Sequence, residues 1–245
     1  SGRILFGEKD LAAMTAEELR HVRGEGMAMI FQSAGDYLNP RRKVCDQYVE
    51  TLRCHQKISK KEGYEAAKKM LATLKLPDTK HVMNAYPFQL SGGMKQRVVI
   101  TMALLCNPDL LIADEPTTAL DVTIQAQVLD IMMDLKKKFN MGLIMITHDI
   151  GVVAETCDKV AIVYAGEIVE SGTVEEVYLN PRHPYTCGLF DSIPKLEEDS
   201  TKLVPIEGMT PNMAEPPTGC YFHPRCKYCQ EICKTQSPTM TEGSH

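Results

Sequence analysis

Leu90-Ser91-Gly92-Gly93-Met94-Lys95-Gln96-Arg97, followed by Leu110-Leu111-Ile112-Ala113-Asp114-Glu115-Pro116, is the stretch that decides the fold of this 245-residue chain. In the first run a serine and two glycines precede a helical pattern from Met94 to Cys106. Free N–H groups and the positive end of the helix make such a start an anion site, and glycines let a phosphate approach the backbone. Alone, Ser-Gly-Gly is usually just a loop before a helix. The second run is an apolar strand, Leu110 to Ala113, that ends in two carboxylates. In a parallel sheet the carboxyl ends of the strands face the ligand crevice. An Asp there can hold Mg2+, usually through water, and the adjacent Glu can orient or deprotonate an attacking water. Ala119-Leu120-Asp121 comes next, and Thr147-His148-Asp149 closes a further strand from Gly142.

The flanking sequence alternates strand and helix, which implies an α/β fold with a mainly parallel sheet. Arg3 to Phe6 is a short strand. Thr15-Ala16-Glu17-Glu18 is a capping box for a helix that stops near Gly24, and Met27 to Phe31 is a buried strand with Gln32 at its end. From Val44 to Leu76 the pattern is helical. One helix runs through Tyr48, Val49 and Leu52. A second starts at the capping box Ser59-Lys60-Lys61-Glu62, carries Ala66, Ala67, Met70, Leu71 and Leu74 on one face, and ends at Pro77. A helix from Val122 to Phe139 ends in three lysines, where cations are favoured. Val160 to Tyr164 is another strand of the alternation. Ala165-Gly166-Glu167 turns into the short strand Ile168 to Glu170, and Thr173-Val174-Glu175-Glu176 starts a late helix. Pro205, Pro211, Pro216 and Pro217 mark an irregular extension. Four segments result: 1–43, an N-terminal β segment and the Gln32 loop of a partial core; 44–90, an inserted helical subdomain; 91–194, the remaining core; and 195–245, an irregular Cys-rich C-terminal extension.

The chain is 44% hydrophobic and 24% charged, which is ordinary for a globular protein with a sizeable core. Its net charge of -5 gives no support to a nucleic-acid partner. No apolar run approaches the roughly 20 residues that span a bilayer. The first residues, Ser1 to Phe6, lack the layout of a signal peptide, so the cysteines are expected in a reducing cytosol. Cys45, Cys54, Cys106, Cys157 and Cys187 are scattered and read as small buried hydrophobes. Cys220, Cys226, Cys229 and Cys233 form a C-x5-C-x2-C-x3-C cluster. Four thiolates so close in sequence can ligate Zn2+ or a [4Fe–4S] cluster, with His223 available to a mixed zinc site. The plain reading is a reduced tail packed under Tyr221 and Phe222.

Taken in this order, the motifs resemble the ATP-binding subunit of an ABC transporter. The run at Leu90 resembles the family's signature sequence, so Ser91, Gly92, Gly93 and Gln96 are expected to contact ATP held by an opposite subunit, with Asp121 communicating across that dimer. The resemblance makes Asp114 the Mg2+-side carboxylate, Glu115 the catalytic base, His148 the switch histidine on the γ-phosphate, and Gln32 the glutamine that meets metal and attacking water. Tyr37-Leu38-Asn39-Pro40 and Asn180-Pro181-Arg182-His183-Pro184-Tyr185-Thr186, with the Cys-rich tail, resemble the subfamily importing di- and oligopeptides or nickel complexes. Some members carry a [4Fe–4S] cluster in that tail. Ser33-Ala34-Gly35-Asp36 departs from the Asp-Pro of many members. The implied partners are a second ATPase subunit (a copy or a paralogue), two transmembrane permease subunits and, indirectly, an extracytoplasmic solute-binding protein. The implied location is the cytoplasmic face of the membrane.

No G-x-x-x-x-G-K-[ST] phosphate loop occurs in the chain. The family places that loop ahead of the strand that Ser1 to Phe6 resembles. The expectation is therefore an N-terminally truncated subunit that does not hydrolyse ATP alone. Two other functions compete: an ABC ATPase of soluble processes, and a non-catalytic module whose tail senses metal or redox state.

Overall fold

The three Ser/Thr-x-x-Glu capping boxes named above are all made. At Thr15 and Glu18, at Ser59 and Glu62, and at Thr173 and Glu176, the hydroxyl accepts from the backbone of the third residue. The Glu carboxylate accepts from the capping residue in return. The computed structural model describes residues 2–73, 78–118, 120–193 and 205–240. The chain divides into two compact units, Ser1–Asp149 and Ile150–His245. That division coincides with none of the motif-based segment boundaries, of which 194/195 lies outside the described residues.

In the first unit, β1 (Leu5–Phe6) and β2 (Lys9–Asp10) form a small antiparallel hairpin, followed by α1 (Ala16–His21). The chain turns at Gly24, whose φ of 98° belongs to the left-handed region, and enters β3 (Met27–Ile30). Two packed helices, α2 (Val44–His55) and α3 (Lys60–Ala72), make the helical insertion; Lys60 pairs with Asp46, and Gly63 lies against Val49. Leu74 and Pro77, expected to close α3, lie outside the described residues. A short α4 (Thr79–Asn84) follows, capped by Asp78, and then α5 (Gly92–Ala103). The core ends with β4 (Leu110–Asp114), α6 (Val122–Phe139) and β5 (Gly142–Ile146). Strands β3, β4 and β5 form one parallel sheet in that order, with Ile30 beside Ala113 and Asp114 beside Ile146. This register brings the carboxyl ends of all three strands to one edge, where Gln32, Glu115 and His148 follow.

Buried apolar side chains explain why the helices settle on this sheet. Leu111 and Ala113 of β4 meet Val98, Ile100, Val128 and Met132 in one cluster, all at 0% exposure. Full burial of a Leu or Ile side chain contributes roughly 1.5–3 kcal/mol. Tyr48 of α2 is also fully buried, and its hydroxyl donates to the Val98 carbonyl of α5 at 2.7 Å. Burial pushes that phenol well above its ordinary range. The helical insertion is thus fastened to the helix that begins with Ser91.

The second unit holds α7 (Ile150–Thr156), β6 (Lys159–Tyr164), β7 (Glu167–Thr173), α8 (Val174–Leu179) and α9 (Pro184–Asp191). The sequence placed the strand at Val160 within the parallel alternation. The structure instead pairs β6 with β7 in an antiparallel hairpin. Ala165 and Gly166 both have positive φ, 50° and 84°, and two left-handed residues between strands make the type I′ turn that matches strand twist. Residues 205–219 contain neither helix nor strand. Phe222, 3% exposed, packs with Tyr164 and Tyr185, so the tail has an aromatic anchor.

Candidate active site

Glu115 is the centre of the sheet edge. Its Oε2 accepts from Gln32 Nε2 at 2.8 Å and from Thr118 Oγ1 at 2.8 Å, and its Oε1 lies 3.0 Å from His148 Nδ1. The Thr118 hydroxyl, then the His148 contact, hold this carboxyl below the usual carboxylate range. Three side chains from three different connections therefore converge on one carboxylate. The backbone of Glu115 is unusual as well, with φ at 44°. Its N–H donates to the Ile146 carbonyl at 2.8 Å, which fixes it against β5.

The loop carrying His148 is tied down on both sides. Asp149 N–H donates to Thr147 Oγ1 at 3.0 Å, and Asp149 Oδ2 accepts from Gln125 of α6 at 3.2 Å. The His148 side chain remains 77% exposed, so it has room to leave Glu115 for another partner. Asp114 ends β4 half-buried, next to Glu115. Mg2+ needs only one or two carboxylates when phosphates supply its other ligands. The donor set Asp114 and Gln32, beside Glu115, suits that requirement. Gln32 spends its amide nitrogen on Glu115, which leaves its carbonyl oxygen for a metal or water.

The signature run divides into two kinds of residue. Ser91 caps α5, accepting from Met94 N–H at 3.4 Å, and Gly92 has open space where a Cβ would stand. At Gly93 a Cβ would lie 2.8 Å from Ile124 Cγ2, so that glycine also permits close packing of α5 on α6. Gln96, expected among the ATP contacts, is 8% exposed and donates to the Pro116 carbonyl at 2.5 Å. Its amide thus faces the protein interior, one turn beyond the open end of the helix. Asp121 caps α6, accepting from Ile124 N–H at 3.0 Å. Ala119 of the same motif lies outside the described residues.

Thr118 is not among the residues that the motifs single out. Its position three residues after Glu115, in a turn closed by Thr118 N–H to Glu115 C=O at 3.2 Å, was the available signal. Gln125 and the interior role of Gln96 had none, because each depends on packing between distant elements.

In the second unit Cys220 N–H donates to the Cys233 carbonyl at 2.9 Å, bringing the two ends of the cysteine cluster together. Cys220, Cys226, Cys229 and Cys233 are free and half-buried. Burial pushes the Cys226 thiol up, and the charges of the other three add to that shift. Among the described residues no three His, Cys, Asp or Glu side chains are gathered closely enough to hold a metal ion. The four thiols are neighbours, not a closed ligand set.

Known proteins place the chain. The ABC transporter family model matches residues 1–118, and the model for the C-terminal region of oligopeptide/dipeptide transporters matches residues 169–233. The oligopeptide transport ATP-binding protein OppD of Haemophilus influenzae is 46% identical over 100% of this chain and 75% of its own length. The dipeptide transport ATP-binding protein DppD of Bacillus subtilis is 47% identical over 100% of this chain and 73% of its own. Among solved structures, cbiO1 from Clostridium perfringens, part of the transporter complex cbiONQ, superposes with a TM-score of 0.63 at 27% identity, covering 74% of this chain and 69% of that one. The dimeric ABC transporter cassette MJ0796 superposes with a TM-score of 0.62 at 25% identity, covering 71% and 74%. With a sheet edge that gathers Gln32, Glu115 and His148 behind a signature helix, the chain belongs to the ABC transporter family of ATPases, in the branch of the oligopeptide and dipeptide transport ATP-binding proteins.

Proposed function

We propose that this chain is the ATP-binding subunit that energises import of di- or oligopeptides. The observation that carries the reading is the convergence of Gln32, Thr118 and His148 on Glu115 at the carboxyl edge of the sheet. Glu115 is the general base for the water that attacks ATP, Asp114 is the carboxylate on the Mg2+ side, and His148 turns from Glu115 to the γ-phosphate. Mg2+, when bound with ATP, neutralises charge developing on the phosphates. The open end of α5, at Ser91 and Gly92, addresses the nucleotide of a second ATPase subunit. Two permease subunits, and through them a solute-binding protein, complete the assembly at the cytoplasmic face of the membrane. Among the described residues no helix is long and apolar enough to cross a membrane, so attachment through partners fits the chain. The peptide-transport names of the relatives favour peptides over nickel complexes as cargo.

ATP hydrolysis by the assembled transporter tests the base. Glu115→Gln should lower kcat by about 10²–10⁴-fold, the usual contribution of a general base, with ATP binding retained. Wild-type turnover in Glu115→Gln would remove the assignment. A polypeptide of these 245 residues alone, which carries no Walker-type phosphate loop, should show no steady turnover above that variant. The cysteine cluster has the ligand types for [4Fe–4S] or Zn2+, but Cys220, Cys226, Cys229 and Cys233 would have to draw closer than they stand to hold either. Iron, sulfide and zinc analysis with visible absorption separates the two, and an unloaded protein with four reactive thiols refutes both.

A further inference from the structure

One side chain of α5 turns away from its open end and into the protein. Gln96 Nε2 reaches the Pro116 carbonyl, the residue directly after Glu115. Glu115 has φ of 44°, a left-handed conformation that side-chain-bearing residues rarely adopt. The residue before a proline is further restricted, because the proline ring crowds its backbone. Such a conformation persists only where the surroundings over-determine it, and it concentrates at functional sites. Three ties hold it here. Glu115 N–H is bonded to Ile146, Thr118 N–H closes the turn onto the Glu115 carbonyl, and Gln96 pins the peptide that follows Pro116. The first two are backbone bonds close to the strand end. The third is a side chain reaching over from α5, 20 residues away in sequence.

The side-chain chemistry suits this task. The amide is neutral, so burying it beside a carbonyl carries no unpaired charge. Asn would be one methylene short of Pro116, and Met would match the length of Gln without a donor. We propose that Gln96 is a positioning residue for Glu115: its amide locks Pro116, and through it the left-handed backbone that aims the base. This rests on the reading of Glu115 as the base.

ATP hydrolysis by the assembled transporter, with Gln96→Met, Gln96→Glu and Glu115→Gln compared, tests it. Gln96→Met should lower kcat by about 10–10²-fold, the scale of a misplaced catalytic group, and leave KM for ATP within about twofold. A buried carboxyl beside a carbonyl oxygen favours its protonated form, which can donate as the amide does. Activity of Gln96→Glu relative to wild type should therefore rise between about pH 8 and about pH 6, whereas the Gln96→Met ratio stays flat. Wild-type kcat in Gln96→Met, with Glu115→Gln inactive, would overturn the positioning role and leave the base assignment standing. A loss confined to KM would overturn it too. Should Gln96→Met fail to fold, the pH ratio of Gln96→Glu decides, and a flat ratio counts against the role. Full activity in Glu115→Gln would remove the base assignment and this proposal with it.

Discussion

Tyr48→Phe tests how the helical insertion is fastened to the signature helix. The substitution deletes one hydroxyl in a fully buried position and keeps the ring. The hydroxyl donates to Val98 C=O at 2.7 Å and lies 2.9 Å from Thr101 Oγ1. Neither neighbour is orphaned by its loss. Val98 C=O lies inside α5, where an α-helix supplies its own N–H partner, and the Thr101 hydroxyl already donates to the Arg97 carbonyl. The cost is therefore one net hydrogen bond, about 1 kcal/mol, and not the 3–5 kcal/mol expected when a buried aromatic ring is removed. At about 2–4 °C per kcal/mol for a unit of this size, Tm should fall by roughly 2–4 °C in calorimetry. ATP turnover of the assembled transporter should change little, because the ring still holds α2 on α5. A Tm identical to wild type would show that the hydroxyl bond adds nothing. A fall above about 10 °C would show that partners had been stranded.

Thr118→Val removes the largest influence holding the Glu115 carboxyl low. A carboxyl lowered in the folded protein stays ionised through its ordinary range and loses its charge only as pH falls through the lowered value, so the variant's acid limb in kcat/KM should move to higher pH. An unmoved limb refutes the clamp. Ser59→Ala breaks the capping box of α3 and should cost about 1 kcal/mol in urea unfolding, with no effect on ATP turnover. Gly219 has φ of 69° and a Cβ there would strike the Cys233 carbonyl, so Gly219→Ala should separate Cys220 from Cys233. Faster thiol labelling of the variant is the expected sign; unchanged labelling would mean that the pairing does not organise the cluster.

Much of the first unit was legible because its signals are local or strongly periodic. The capping boxes, the apolar run at Leu110, and the long pattern from Val122 to Phe139 each fix an element from a few neighbouring residues. Short α4, α7 and α9 were not read, since six to eight residues hold too few turns for a periodic stripe. His183 followed by Pro184 was a usable start for α9, as proline is preorganised for a first helical turn. The turn at Ala165-Gly166 is legible, but the alternation implies a parallel setting for β6, because an apolar strand does not disclose which neighbour it takes. The left-handed pair Ala165 and Gly166 decides it locally. At the site, residue types and spacing pointed to Glu115 and His148, but not to the inward turn of Gln96, which only the packing of α5 against the loop after β4 reveals.

The two glycines of the signature are separable probes. A side chain at Gly93 would press on Ile124, so a defect in a Gly93 variant reports the fit of two helices as much as any contact with nucleotide. Gly92 has nothing within 4 Å of its would-be Cβ. A methyl group at Gly92 therefore meets no described side chain, which makes that position the cleaner one for crosslinkers, spin labels or fluorophores that test whether a second subunit approaches there.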